Sequence, residues 1–210
     1  MGNLLFVTSS LMGDKSQSRR LAADYIAAER LANPGLNVVE RHLTPDNIPH
    51  ISMDMLAGLG AAADARTPAQ TAAVGLADTI IEEVEAADTI VLAVPMYNFS
   101  VPSTLKAWLD HVARAGRTFK YTANGPEGQL KGKRVIVVVS RGGFYTGDSP
   151  FKSMDFQEPY LRAFFGFVGI TDVIFVQVEG QAIGPEVAAK GLAAAKNAIA
   201  NLAPTAQLAA

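Results

Sequence analysis

Cysteine is absent from the 210 residues. That absence excludes a disulfide framework, a thiolate zinc site, a thiolate-held iron–sulfur cluster and a cysteine nucleophile together. Charge of one sign is scarce too: 18 Lys and Arg stand against 20 Asp and Glu, a formal net charge of −2. That balance gives no basic footprint for nucleic acid. No apolar run approaches the ~20 residues of a bilayer span, so no membrane partner is expected. The apolar stretch Leu4–Val7 is far too short for a signal sequence, and Phe6 stands where myristoylation of Gly2 would need Ser or Thr. A cytoplasmic protein is the expectation. The histidines His42, His50 and His111 show no metal-ligand spacing, and no carboxylate cluster is expected at a strand end, so no metal site is expected either.

What is present is a core-forming chain, 49% hydrophobic. Strand-like runs fall at Leu4–Val7, Asn37–Glu40, Thr89–Val94, Arg134–Ser140 and Asp172–Val178. Ile90–Val94, Val135–Val139 and Val173–Val176 are unbroken apolar runs, the pattern of parallel strands covered on both faces. Helical segments alternate with them at Ser18–Ala32, Pro68–Ala86, Pro102–Ala115, Asp155–Val168 and Pro185–Ala203. The pattern predicts one α/β domain over residues 1–210, a doubly wound five-stranded parallel sheet with helices on both faces. Thr44–Thr67 and Gly116–Gly132 exceed what crossovers need; they read as functional insertions or as surface excursions.

Ligands of such sheets bind beyond the carboxyl ends of the strands, so the loops there carry the chemistry. Thr8 through Ser18 follows the first strand, with Ser9, Ser10, Ser16 and Ser18 opening onto a helix. One serine serves as a helix cap; four favour an anion such as a phosphate at the helix N-terminus. Pro95-Met96-Tyr97-Asn98-Phe99-Ser100-Val101-Pro102 follows the third strand and offers faces and polar groups for a flat heteroaromatic ring, or simply core and turn residues. Ser140-Arg141-Gly142-Gly143 follows the fourth, its glycines suited to a turn or to a close backbone approach. Together the three loops describe a mononucleotide site. No G-x-G-x-x-G, no G-x-x-x-x-G-K-[ST] and no G-x-S-x-G is present, which argues against a Rossmann dinucleotide site, a P-loop and a nucleophile elbow. Redox chemistry would then belong to a cofactor.

The stretch from Pro95 through Pro102, continuing through Leu105-Lys106-Ala107-Trp108-Leu109-Asp110, resembles the FMN-dependent NADH azoreductase and quinone oxidoreductase family. Ser16-Gln17-Ser18, Ser140-Arg141-Gly142-Gly143, and Gly116 through Tyr121 with Gly125 through Gly128 are similar to further segments of it. The resemblance implies a flavodoxin-like homodimer with one FMN per subunit and NADH or NADPH as electron donor. It implies that Ser10, Ser16, Gln17 and Ser18 hold the phosphate and ribityl region. Met96, Tyr97, Asn98 and Phe99 would line the ring, and Ser140, Arg141, Gly142 and Gly143 would meet its polar edge. Thr8 stands where many relatives carry a basic residue. Phe119, Tyr121, Phe144, Tyr145 and Phe151 become candidates for the wall of a site that reduces quinones and cleaves azo compounds in ping-pong fashion. No side chain is expected to be an indispensable acid–base catalyst. The rival reading, a flavodoxin-type electron carrier, fits poorly with so small a net charge.

Overall fold

The computed structural model describes residues 2–202. Five strands, β1 (Asn3–Thr8), β2 (Asn37–His42), β3 (Thr89–Pro95), β6 (Arg134–Ser140) and β7 (Asp172–Val178), form one sheet in the order β2-β1-β3-β6-β7. Every pairing in it is parallel. Each expected strand lies within one of these or coincides with it.

Helices cover both faces because alternate strand residues point opposite ways. Leu5, Val7, Ile90, Leu92, Val94, Val135, Val137 and Val139 meet α3 (Pro68–Ala86), α4 (Ser103–Val112) and α5 (Glu158–Val168) through Ile80, Trp108 and Phe165. Leu4, Phe6, Val91, Ala93, Ile136 and Val138 meet α1 (Gln17–Ala32) and α6 (Pro185–Leu202) through Leu21, Tyr25 and Ile199. The expected last helix agrees with α6 as far as Leu202; Ala203 lies outside the described residues. β2 is the polar edge, with Val39 exposed.

Helix ends follow local chemistry. Thr67 and Gln70 close a capping box on α3, and Ser52 caps α2 (Met53–Gly60), a helix inside the first insertion. α4 stops earlier than expected because the Thr118 hydroxyl intercepts it, donating to the Val112 carbonyl at 2.7 Å and accepting from the Arg114 N–H at 2.8 Å. α5 starts later than expected because the Asp155 carboxylate takes the N–H groups of Gln157 and Glu158. The second insertion is an antiparallel hairpin, β4 (Phe119–Thr122) and β5 (Gly125–Gly128). No helix among the described residues is long and apolar enough to cross a membrane.

Candidate functional site

β1 lies between β2 and β3, and the chain leaves it toward α1 on one face while it leaves β3 toward α4 on the other. A crevice opens between the two departing loops, at the topological switch point. Thr8, Ser9 and Ser10 are buried at its floor. Ser9 is stitched to β3, its N–H and hydroxyl both donating to the Ala93 carbonyl at 3.2 Å. The Leu11 N–H donates to the Tyr97 hydroxyl at 3.3 Å and so joins the loops across the crevice. Thr8 bonds the Nδ1 of His42 at 2.5 Å.

The remaining serines each have a local partner, yet donors stay available. Ser16 is the α1 cap: its hydroxyl accepts from the Arg19 N–H and pairs with Ser18 at 3.1 Å. Ser10 accepts from the Met12 N–H, which leaves its own proton free to donate. The N–H groups of Gln17 and Ser18, in the first turn of α1, find no acceptor among the described residues. Lys15, Arg19 and Arg20 surround Asp14 there, with Arg19 at 3.6 Å from its carboxylate and Arg20 donating to its backbone carbonyl. A helix N-terminus with unpaired amides and surplus positive charge suits a dianion.

The loop after β3 is a strained turn. Asn98 (φ +48°) and Phe99 (φ +71°) are the non-glycine residues in the left-handed region among those described. For a residue such as Phe99 that conformation costs about 1–2 kcal/mol, whereas asparagine enters it more readily. Tyr97 and Ser100 exchange both backbone hydrogen bonds across it, at 3.0 and 3.1 Å. From outside, the Phe156 N–H donates to the Phe99 carbonyl at 3.0 Å, and the Met96 N–H donates to the Ser140 carbonyl at 2.8 Å. Asn98 and Phe99 are thereby held exposed at the crevice mouth, with Met96 and Tyr97 half-buried beneath.

Beyond β6, the carbonyls of Arg141, Gly142 and Gly143 accept from the N–H groups of Gln181, Ala182 and Gly180. The amides of Gly142 and Gly143 find no acceptor among the described residues. Neither glycine is in the left-handed region, so no turn requires them. A Cβ on Gly142 would come within 3.3 Å of the Ala182 Cβ, so the bare backbone lets the loop after β7 close in while the amides of both glycines stay free.

Arg141 has a different role from the one expected. Its side chain is fully buried, turned away from the crevice and into carboxylates. Nη1 donates to Glu179 at 3.2 Å and Nε to Gln157 at 3.1 Å. Nη2 sits 2.9 Å from Asp155, an ion pair by distance whose angle leaves that nitrogen without a directed hydrogen bond. Contrary to expectation, two carboxylates do gather at a strand end, both around this arginine. Among the described residues no group of three ligating side chains could hold a metal.

The aromatic candidates divide. Phe144, Tyr145 and Phe151 lie on the loop between β6 and α5, at the crevice edge of the sheet, and Tyr145 meets Phe99 edge-on at 6.3 Å. Phe119 and Tyr121 do not join them within one chain. α4 carries the backbone to the opposite edge, where Phe119 packs on Phe167 at 4.5 Å and Tyr121 is 76% exposed. Within one chain the five candidates thus fall into two groups, three at the crevice and two at the opposite end of the sheet, and Phe156 joins the first group. Phe156 is 60% exposed and anchored to Phe99. Beside the turn lies a hollow of about 500 Å³ lined by Asn98, Ser100, Val101, Ser103, Lys106 and Tyr160. Burial and the nearby Asp110 carboxylate push the Tyr160 phenol up to about 12.

Residues 2–203 match the family described as having a flavodoxin-like fold. The chain is 47% identical to the FMN-dependent NADH:quinone oxidoreductase of Azotobacter vinelandii, over 97% of this chain and all of that one. It is equally identical to the protein of that name from Hyphomonas neptunium, over 98% of this chain and 97% of the other. Among solved structures, the azoreductase of Bacillus anthracis superposes with a TM-score of 0.89 at 30% identity, covering 97% and 99% of the two chains. An FMN-dependent NADH-azoreductase of the same species, solved in complex with FMN, gives 0.86 at 27% identity over 97% and 100%.

Proposed function

From the premise that the chain belongs to the flavodoxin-like family of FMN-dependent NADH:quinone oxidoreductases and azoreductases, we propose that it binds FMN in the crevice between β1 and β3 and reduces quinones and aromatic azo compounds with electrons from a nicotinamide. The observation that carries this reading is the convergence of unpaired donors on one crevice: the amides of Gln17 and Ser18 at one end, those of Gly142 and Gly143 at the other. Bound there, FMN supplies the two-electron chemistry that no side chain of the site offers.

The residues present fit such a group. Ser10, Ser16, Gln17 and Ser18 hold a phosphate by hydroxyl and amide donors, aided by the α1 dipole. Met96, Tyr97, Asn98 and Phe99 bound the ring on one side. Gly142 and Gly143 donate from the backbone to its polar edge, and Ser140 and Arg141 fix those amides. With FMN bound, these amides would favour negative charge on that edge without any side chain changing protonation. Phe99, Phe144, Tyr145, Phe151 and Phe156 form an apolar rim that favours flat aromatic substrates and sheds water.

Nicotinamide and quinone would share the one aromatic rim in turn, which would make the kinetics ping-pong. Cleaving an azo bond to two amines takes four electrons and a quinone takes two, so each azo bond consumes twice the NADH that a quinone does. The exposed Tyr121 and the apolar Ile51, Met53 and Leu56 support a homodimer. The decisive experiment loads the protein with FMN and varies NADH against a simple quinone. Parallel double-reciprocal lines are expected. Intersecting lines overturn the shared face, and no NADH oxidation above the rate without protein overturns the activity.

A further inference from the structure

Gln157 is fully buried, and its amide has two partners on two different loops. Its Nε2 donates to the Pro95 carbonyl at 3.1 Å, at the end of β3. Its Oε1 accepts from Arg141 Nε at 3.1 Å, just past β6. These strand ends open the two loops that bracket the crevice, Met96–Phe99 and Ser140–Gly143.

Arg141 extends the link. It pairs with Glu179 beyond β7 and with Asp155, whose carboxylate also holds the first turn of α5. Glu179 in turn accepts from the Tyr145 N–H at 2.8 Å and from the Thr146 hydroxyl at 2.6 Å. One residue before Gln157, the Phe156 N–H fastens the Phe99 carbonyl of the strained turn. None of these side chains needs to reach the crevice, and Gln157 and Arg141 are closed off from it. The backbone that the crevice presents toward a ring, the left-handed turn on one side and the glycine amides on the other, is joined once by the Met96 N–H donating to the Ser140 carbonyl and a second time, from behind, by these side chains.

We propose that Gln157 and Arg141 are positioning residues, a buried clamp that sets the distance between the β3 turn and the β6 glycine amides and so tunes the grip on the flavin. The proposal rests on the FMN reading above. A clamp of this kind acts through preorganisation: amides held at the right separation bind without first being ordered. It also explains the polarity of the device. A buried arginine facing two carboxylates is costly to desolvate, so it is weak evidence of added stability, and on this proposal it serves geometry.

Two substitutions at position 157 separate the ends of the clamp. Gln157→Glu keeps an acceptor for Arg141 and sets a second oxygen against the Pro95 carbonyl, so it breaks the β3 end alone. Gln157→Leu breaks both. Apoprotein of each is titrated with FMN by fluorescence quenching, alongside its melting temperature without FMN and the absorption bands and reduction potential of the bound flavin. Loss of a buried hydrogen bond at the clamp is expected to raise the FMN Kd about tenfold for Gln157→Glu and further for Gln157→Leu, with shifted flavin bands and potential. The proposal is overturned if both variants bind FMN with the wild-type Kd, spectrum and potential and only the melting temperature falls, since that is what a purely structural glutamine does. Arg141→Lys, which keeps the charge and loses the fork, serves if either variant fails to fold; an unchanged Kd and spectrum there overturns the clamp equally. Wild-type apoprotein that takes up no FMN overturns the underlying reading, a result distinct from both.

Discussion

The two edges of one sheet use their polar groups in opposite ways. At the edge where the strands begin, charges close on each other. Arg117 reaches Asp78 at 2.9 Å and Glu85 at 2.8 Å, Arg114 shares Asp78 at 2.6 Å, and Arg134 meets Asp172 at 2.7 Å. Lys133 donates to the Glu85 and Ala87 carbonyls. Backbone packs against backbone there, β5 against the turn before β7. At the edge where the strands end, amides are left without partners, two non-glycine residues are held in a left-handed turn, and aromatic rings face outward. Both edges arise from the same parallel register. The difference teaches that an edge built to bind is recognised by what it leaves unsatisfied. A closed edge contributes stability, and an open one holds its shape only through supports placed behind it, such as Arg141 and Gln157.

Mutations that test the closed edge should therefore alter the fold and spare the site. The largest effect is expected for Gly128→Ala. A Cβ there would lie 2.1 Å from the Gly169 amide nitrogen and 2.2 Å from the Val168 carbonyl carbon, both backbone atoms that cannot swing aside. Overpacking typically costs about 1–3 kcal/mol, and against rigid backbone the top of that range is expected, measurable by urea denaturation. Thr118→Val comes next. It strands the buried Val112 carbonyl and the Arg114 amide that the hydroxyl now serves, at a cost of about 1–3 kcal/mol. In both variants, FMN bound by the folded fraction should keep its wild-type spectrum. A shifted spectrum would break the separation between the edges.

The open edge should show the reverse. Asn98→Gly relieves left-handed strain and loses backbone order, two terms of about 1 kcal/mol or less that oppose each other, so stability changes little. Flavin retention on dialysis and turnover should nevertheless fall, because the turn no longer holds its shape unaided. Asn98→Ala keeps the strain without the amide and should cost about 1 kcal/mol as well as flavin. Full retention of flavin by both variants would show that the turn is ordinary connection.

The sheet was legible in the sequence because strands covered on both faces have no polar alternation to confuse them, as in Val135–Val139. The three crevice loops were legible because βα loops follow directly from strand ends. Side-chain direction was not. Arg141 next to two glycines reads as a ligand contact, and only the fold shows it pointing inward to Glu179, 38 positions away. The resemblance of their insertion puts Phe119 and Tyr121 among the wall candidates, and within one chain α4 carries them to the opposite end of the sheet. Asp155, Gln157 and Glu179 gave no signal beyond a helix start and a lone acid after an apolar strand. Polar networks assembled from distant single residues carry no local pattern.

Two tyrosines give the smallest and most selective contrast between the edges. Tyr25, whose phenol bonds Glu29 and lies near Arg134, sits toward the closed edge, and its pKa is raised by burial, then by that bond. Tyr160 lines the hollow beside Asn98 at the open edge, and burial followed by Asp110 pushes it up to about 12. Both groups keep their proton more tightly in the folded chain than in the unfolded one. Their stabilisation is therefore complete below the ordinary value of 10.0 and fades as pH rises, for Tyr160 through about 12. At pH 7, Tyr160→Phe should leave stability nearly unchanged, since its hydroxyl has no hydrogen-bond partner among the described residues, whereas Tyr25→Phe loses its bond to Glu29 and about 1 kcal/mol. Between pH 10 and 12, each Phe variant should lose stability less steeply than the wild type in denaturation titrations. If Tyr160→Phe declines as steeply as the wild type across that window, the phenol beside the turn is as wet as the rest of the open edge, and the hollow it lines offers a ligand no dry wall.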